Sequence, residues 1–477
     1  MRIQASTALS RYPSLSPDAV KALWEKEISS FKHQIIVLDD DPTGVQTVHG
    51  VSVYTDWSEA SIEQGFLEPG SLFFILTNSR AFSEEETRQV HQDIAERAAA
   101  VSRKLNQPFL LISRGDSTLR GHYPLETEVL YETLQGEGNP IDGEILLPFF
   151  FEGGRLTLEG VHYVRQEDEL IPAGETEFAK DRTFGYRSSS LAEYVEEKTD
   201  GRFSAKDVTL IPLSMIRSLA IDEITSLLMN VSRFNKVVVD AAEEQDVRVF
   251  TIALMRALRQ GKTFLYRTAA AFTKVIGNIS FRPLLTAPEL VNPEASTGGL
   301  IMIGSHVQKT TDQLEKLKEL STLHFLELDA HLVLEPEDFQ EEIDRVQREA
   351  EEKVQAGVTT VIYTRRERLD LGQNMKEKEL QLSVDISRAV TSIVQRFAVT
   401  PRYLIAKGGI TSSDIGTNGL GVRRATVAGQ VAPGIPVWTT GEESKFPHLP
   451  YIIFPGNVGA VTTLRDVAAM LEGTNQP

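Results

Sequence analysis

The chain has 477 residues, more than one hydrophobic core ordinarily supports, so two domains are expected. Its 41% hydrophobic and 24% charged residues exclude disordered and fibrous classes, and a net charge of -18 without a concentrated basic run disfavours nucleic acid or an anionic membrane as partner. Cysteine is absent, which excludes disulfide frameworks, cysteine-zinc sites and thiol nucleophiles.

From Met1 to Lys26 the chain mixes Arg, Ser, Pro, Asp and Glu with no apolar core, unlike a secretory signal. No apolar run approaches the roughly 20 residues that cross a bilayer, so a cytoplasmic location is expected. Short runs rich in Val, Ile, Leu and Phe then predict strands at Gln34–Leu38, Leu72–Leu76, Phe109–Ile112, Ile145–Leu147, Val208–Leu213 and Lys236–Val239. They do not alternate in polarity, which is the look of strands covered on both faces, and longer segments of helical period separate them. Ser83 and Glu86 form a capping box ahead of a helix over Glu85–Ala100. A glycine-rich, aromatic and charged insertion from Phe149 to Ser190, with a hairpin at Leu156–Val164, reads as a lid over the first domain's site or as an oligomerisation arm.

Pro288, Pro293, Gly298 and Gly299 mark a linker, which divides the chain into a first domain over 1–285, a linker over 286–298 and a second domain over 299–477. In the second half strands are predicted at Leu300–Ile303, Thr359–Tyr363, Tyr403–Ile405, Val437–Thr440 and Tyr451–Phe454, with a charged, solvated helix over Pro336–Ala356. The expected class is therefore two α/β domains with largely parallel sheets flanked by helices.

In open α/β sheets ligands bind beyond the carboxyl ends of the strands, so the residues just past each strand carry the functional reading. After Leu38 come Asp39, Asp40 and Asp41, then Pro42, Thr43 and Gly44. Three adjacent carboxylates repel one another unless cations, hydroxyls or backbone amides share them, and such groups suit gripping a polyol or deprotonating a hydroxyl. The plainer alternative is one Asx-turn with two solvated neighbours. After Ile112 the loop carries Arg114, Asp116, Ser117, Arg120 and His122 among glycines, a composition fit for binding a carboxylate, unless Arg114 and Asp116 merely pair with each other. Asn78, Ser79 and Arg80 follow the second strand, and Asp240 follows Val239. His122 stands alone and reads as a hydrogen-bonding partner, not a metal ligand; no metal-ligating side chain is assigned.

In the second half Gly304, Ser305 and His306 end one strand, Lys407 to Ser413 end another, and Pro455, Gly456, Asn457, Val458 and Gly459 end the last. Strand, glycines, hydroxyls and then helix is an arrangement that presents amides to phosphate, so three such loops suggest a nucleotide site. Gly261-Lys262-Thr263 is not a P-loop: position 256 is Arg, and an apolar run follows instead of a helix.

Taken together, Asp40-Asp41-Pro42-Thr43-Gly44, then Arg114-Gly115-Asp116-Ser117-Thr118-Leu119-Arg120-Gly121, then Gly408-Gly409-Ile410-Thr411-Ser412 resemble the four-carbon acid sugar kinases, in order and across nearly the whole chain. The resemblance implies an N-terminal domain holding a sugar acid such as threonate, erythronate or a 3-oxo-tetronate, and a C-terminal domain holding ATP with Mg²⁺. Both would bind in a cleft between the domains, with transfer to a terminal hydroxyl in carbohydrate catabolism. Substrate contacts are expected at Asp40 and Asp41, one of them the base, and at Thr43, Gly44, Asn78, Ser79, Arg80, Arg114, Asp116, Ser117 and Arg120. Nucleotide contacts are expected at Ser305, Gly408, Gly409, Ile410, Thr411, Gly456 and Asn457. The chain departs from the family pattern at Asp39, Pro42 and Pro455-Gly456-Asn457-Val458-Gly459, where Ser-Gly-Asn-Phe-Gly is usual. Asp39, outside the motif, is expected to be structural. A decarboxylase or aldolase using the same carboxylates, and a non-catalytic sugar-acid sensor, remain the rival classes, and homodimer assembly stays open.

Overall fold

The run Gln34–Asp39 is buried along its whole length, as a strand covered on both faces requires. In the computed structural model, which describes residues 2–115, 118–291, 294–367 and 376–473, it is a central strand of the first of two units. That unit comprises the chain up to Gly44 together with Asp56–Ser280; the second comprises Val45–Thr55 and the residues from Phe281 onward. Both are mixed α/β, with helices flanking the strands.

The first unit's main sheet runs in the order Thr209–Ile211, Asn235–Val239, Gly143–Leu147, Phe264–Thr268, Phe109–Arg114, Gln34–Asp39 and Leu72–Leu76, all parallel. From Gln34–Asp39 the chain first adds Leu72–Leu76 on one side, then Phe109–Arg114 on the other. The topological switch therefore lies between Gln34–Asp39 and Phe109–Arg114, whose last residues, Asp39 and Arg114, are register partners. Two expectations change here. The strand predicted over Val208–Leu213 stops at Ile211, because Pro212 cannot donate to the ladder and Leu213 opens a short helix. Phe264–Thr268, passed over as an apolar run, is a full central strand with Arg267 inside it.

Ser83 and Glu86 form the capping box, and the helix they start runs Glu84–Leu105 until Asn106 turns left-handed at φ 51°. Within 149–190 the predicted hairpin pairs Arg155–Leu158 with Val161–Gln166. Glu159 and Gly160, both at positive φ, make its two-residue turn. Glu169–Pro172 and the N-terminal Ile3–Gln4 complete a separate four-stranded antiparallel sheet.

In the second unit Ser52–Tyr54, Arg424–Ala432, Ile435–Thr440 and Pro450–Phe454 pair antiparallel. Leu404–Lys407, Leu300–Ile303, Thr360–Thr364 and His324–Leu328 continue from Pro450–Phe454 in parallel. Its switch lies between Leu300–Ile303 and Leu404–Lys407, because the chain fills the far side of Leu300–Ile303 before returning to the near side. A core on one face of the sheet, including Ile301, Ile303, Ile405 and Ile452 with Leu464 and Val467 of the helix Thr463–Leu471, packs beneath that pair of strand ends. Among the described residues no helix is long and apolar enough to cross a membrane.

Candidate active site

At the first unit's switch the chain puts its carboxylates and arginines side by side. Arg114 Nη1 donates to Asp39 Oδ1 at 3.2 Å and stands 3.7 Å from Asp40 Oδ1. All three side chains are buried. Asp39 also packs against the α-carbon of Gly44 so closely that a β-carbon there would collide with its carboxylate. Asp41 closes the turn: its Oδ1 accepts from the Thr43 amide at 2.8 Å and the Thr43 hydroxyl at 2.6 Å, and its Oδ2 meets the Arg80 guanidinium. Only Asp40 has both carboxylate oxygens buried without a hydrogen-bond partner among the described members of this loop.

Burial pushes the Asp39 carboxyl up to about 7, with Arg114 and Arg80 opposing it and Asp40 adding to it. Burial raises Asp40 as well, against Arg80, Arg114 and Arg267 and with Glu126 reinforcing it. Two adjacent carboxylates thus share a low-dielectric site whose cations compensate them only in part.

The remaining predicted residues divide by what they touch. Asn78 sits left-handed at φ 57° at the start of the turn that carries Arg80. The Ser79 hydroxyl is committed to Glu126 Oε1 at 2.9 Å and is buried. Asp116 and Ser117 lie outside the described residues. Arg114 and Arg120 do not form one fork: Arg120 lies over the Phe178 ring at 5.0 Å and 3.8 Å from Asp181, both in the 149–190 insertion. Tyr186 of the insertion and Tyr194 of the helix Leu191–Lys198 that follows it donate to the main-chain oxygens of Thr118 and Leu119, each at 2.9 Å, tying both to the arginine loop. His122 Nε2 bonds the Phe82 carbonyl at 3.0 Å, the role expected of it. Asp240 anchors the hairpin turn, accepting from the amides of Glu159 (2.7 Å), Gly160 (2.9 Å) and Leu213 (3.0 Å). Arg267 and Glu126 were missed in the sequence; the signal available was Arg267's place at the carboxyl end of the overlooked strand.

In the second unit the three glycine loops converge. A β-carbon at Gly304 would come within 2.5 Å of the Thr411 hydroxyl, one at Gly408 within 3.1 Å of Ser305 Cβ, and one at Gly456 within 3.3 Å of Ser305 Oγ. Gly408 stands at φ 131°, a conformation other residues rarely adopt. Gly409 has open space before it and Ile410 is exposed, so the first turn after this strand faces outward with amides that have no intrahelical acceptor. Lys407, fully buried, donates from Nζ to the carbonyls of Pro455 (2.6 Å) and Gly456 (3.1 Å), and Lys309 donates to that of Asn457 (3.2 Å). In a trans peptide the N–H points opposite to the C=O. Drawing three successive carbonyls to lysines therefore turns the following amides the other way. Burial pulls the Lys407 ammonium down to about 7, and Lys309 adds to this. Arg366 donates from Nη2 to Ser305 O at 2.6 Å and to Thr311 Oγ1 at 2.9 Å, behind the same loop. Lysines and an arginine behind glycine-rich loops form a positive cradle in a strongly acidic chain, which suits a polyphosphate. Among the described residues no three His, Cys, Asp or Glu side chains stand together as a metal cluster.

Comparison with known proteins agrees with the division of labour. Residues 35–276 match the family model of a sugar-binding N-terminal domain, and 300–464 that of a nucleotide-binding C-terminal domain. A D-erythronate kinase from Heliobacterium modesticaldum is 27% identical over 325 residues, 66% of this chain and 67% of that protein. Crystal structures of a Haemophilus influenzae DUF1537 protein (TM-score 0.61, 18% identity, 91% of this chain and 100% of that one) and of a Salmonella typhimurium LT2 protein (0.64, 16%, 92% and 99%) share the fold. With a sugar-binding half and a nucleotide-binding half matched in order, the chain belongs to the four-carbon acid sugar kinase family.

Proposed function

We propose that this protein uses ATP to phosphorylate a terminal hydroxyl of a small sugar acid of about four carbons, with Asp40 as the general base. The observation that carries the reading is Asp40 itself. It sits beyond the carboxyl end of the switch strand, its two oxygens have no hydrogen-bond partner, and its burial favours the protonated form. A carboxylate so placed is poised to accept a hydroxyl proton, whereas Asp41 spends its oxygens on Thr43 and Arg80.

The substrate carboxylate needs a cation that can reach it. Arg114 is buried between Asp39 and Asp40 and acts on them. Arg80 and Arg120, with side chains 24% and 26% exposed, are the better partners for the acid. In the nucleotide-binding half, Ser305, Gly408 to Thr411, Gly456 and Asn457 would surround the phosphates, with Lys407 and Lys309 orienting the last loop. Phosphoryl transfer asks for positioning and charge neutralisation more than covalent chemistry, which is what these two sets of residues offer. Mg²⁺ would be held chiefly by the ATP phosphates, since it keeps waters and takes few protein carboxylates, and it would neutralise charge there.

The test is to incubate the purified chain with ATP, Mg²⁺ and a panel of four- and five-carbon sugar acids, following ADP release and the phosphorylated product. ADP formed only with one or a few of these acids is expected. Turnover of an acid without nucleotide, as by a decarboxylase or aldolase, would overturn the reading.

A further inference from the structure

Arg267 lies in none of the motifs, yet it is buried against the arginine loop, beside Asp40. It comes from the overlooked strand, and its guanidinium is buried. Nη1 donates to Glu126 Oε2 at 2.5 Å and to Ser113 Oγ at 2.9 Å, and Nη2 donates to the main-chain oxygen of Arg120 at 2.8 Å. Glu126 is fully used in return, accepting from Ser79 Oγ at 2.9 Å and Ser113 Oγ at 3.2 Å. Side chains at Gly115 and Gly121 would both strike this guanidinium, so the arginine loop is wrapped around it at each end. At Gly121 a β-carbon would lie 2.5 Å from Arg267 Nη2 and 3.5 Å from Asp40 Oδ2, so the guanidinium and the carboxylate both border the space beside that glycine.

We propose that Arg267 is a positioning residue for phosphoryl transfer: pinned by Glu126, it holds Gly115, Arg120 and Gly121 in place and sets a permanent positive charge beside Asp40. The inference rests on Asp40 being the base. The charged groups facing Asp40 are Asp39 at the end of the strand before it, Arg114 on the neighbouring strand, Arg80 after the second strand, Glu126 on the helix Leu125–Gly136, and Arg267. Removing Arg267 withdraws one of the three cations that favour the ionised base; removing Glu126 withdraws an anion that opposes it. The two changes must therefore act in opposite directions, which a purely structural ion pair would not produce, since breaking it from either side would damage the same fold.

The experiment measures kcat/KM against pH for the full chain and for Asp40→Asn, Arg267→Gln, Arg267→Lys and Glu126→Gln, with ATP-dependent thermal stabilisation confirming a folded nucleotide-binding half. In Arg267→Gln the acid limb is expected to move up by about one pH unit or more, and in Glu126→Gln to move down. Arg267→Lys keeps the charge but loses the fork, so its limb should stay near the parent's while KM for the sugar acid rises several-fold. If Arg267→Gln does not fold, the downward limb of Glu126→Gln together with the raised KM and unmoved limb of Arg267→Lys decides. Limbs of Arg267→Gln and Glu126→Gln that stay unmoved or move together, with Asp40→Asn inactive, would overturn the role of Arg267. Near-normal activity of Asp40→Asn would instead remove the base assignment beneath it.

Discussion

Arg114 stands between two carboxylates, 3.2 Å from Asp39 and 3.7 Å from Asp40, and only the first receives its hydrogen bond. That asymmetry separates a held aspartate from an available one. Asp40→Asn should lower kcat by about 10²–10⁴, the usual worth of a general base, while substrate binding changes little. Single-turnover transfer checks this directly, and the corresponding Asp39 variant should lose stability ahead of chemistry.

The pH dependence of transfer follows from the direction of the Asp40 shift. A base must be deprotonated to act, and burial raises this carboxyl, so the acid limb of kcat/KM should lie above the ordinary carboxylate range. A limb at or below that range would place the base elsewhere.

Arg80 touches Asp41 and keeps part of its side chain open. Arg80→Met should raise KM for the sugar acid by roughly ten- to hundredfold, the worth of a charge-assisted hydrogen bond, and leave KM for ATP nearly unchanged. Steady-state kinetics with each substrate varied in turn makes the comparison.

Gly408 combines a positive φ with close approach to Ser305 and Thr411. Gly408→Ala must strain the backbone by about 1–3 kcal/mol or push the glycine-rich loops apart. Stabilisation of the protein by ATP, read as a rise in Tm, should shrink or vanish in this variant while stabilisation by the sugar acid persists.

Asp240 gives a stability prediction. Burial pushes its carboxyl to about 7, against the three amides it accepts from, whereas the unfolded chain ionises near its ordinary value of 3.8. Between those values the native state keeps a proton that the unfolded state has lost. The contribution is therefore complete below about pH 4 and is lost as pH rises through about 7. Wild type should lose more Tm than Asp240→Asn on going from pH 5 to pH 8, since the variant cannot titrate there.

The parts of this architecture legible in the sequence were those written in short range. Buried parallel strands such as Leu72–Leu76 announce themselves as unbroken apolar runs, and Ser83 with Glu86 announces a helix start. Arg424–Ala432 escaped because its burial alternates, with polar residues on one face and Gly429 and Gln430 interrupting the apolar set. Phe264–Thr268 escaped because its apolar run is only three residues long before Arg267 and Thr268 break it. The loops of the site were visible because glycines and charges cluster after strands. What each side chain grips was not: the Ser79 hydroxyl turning to Glu126, or Arg120 turning to Phe178, depends on partners 47 and 58 positions away.

The short excursion Val45–Thr55 bears on how the protein can be cut. Its strand Ser52–Tyr54 pairs with Arg424–Thr426, so a fragment beginning near Phe281 would carry the three glycine loops but lack this strand. Arg424–Ala432 would then end the sheet with unsatisfied amides and carbonyls, a template for self-association. Dissection into autonomous halves should therefore fail at the level of solubility, and supplying the missing eleven-residue segment, fused through a linker to the fragment's N-terminus, should rescue it.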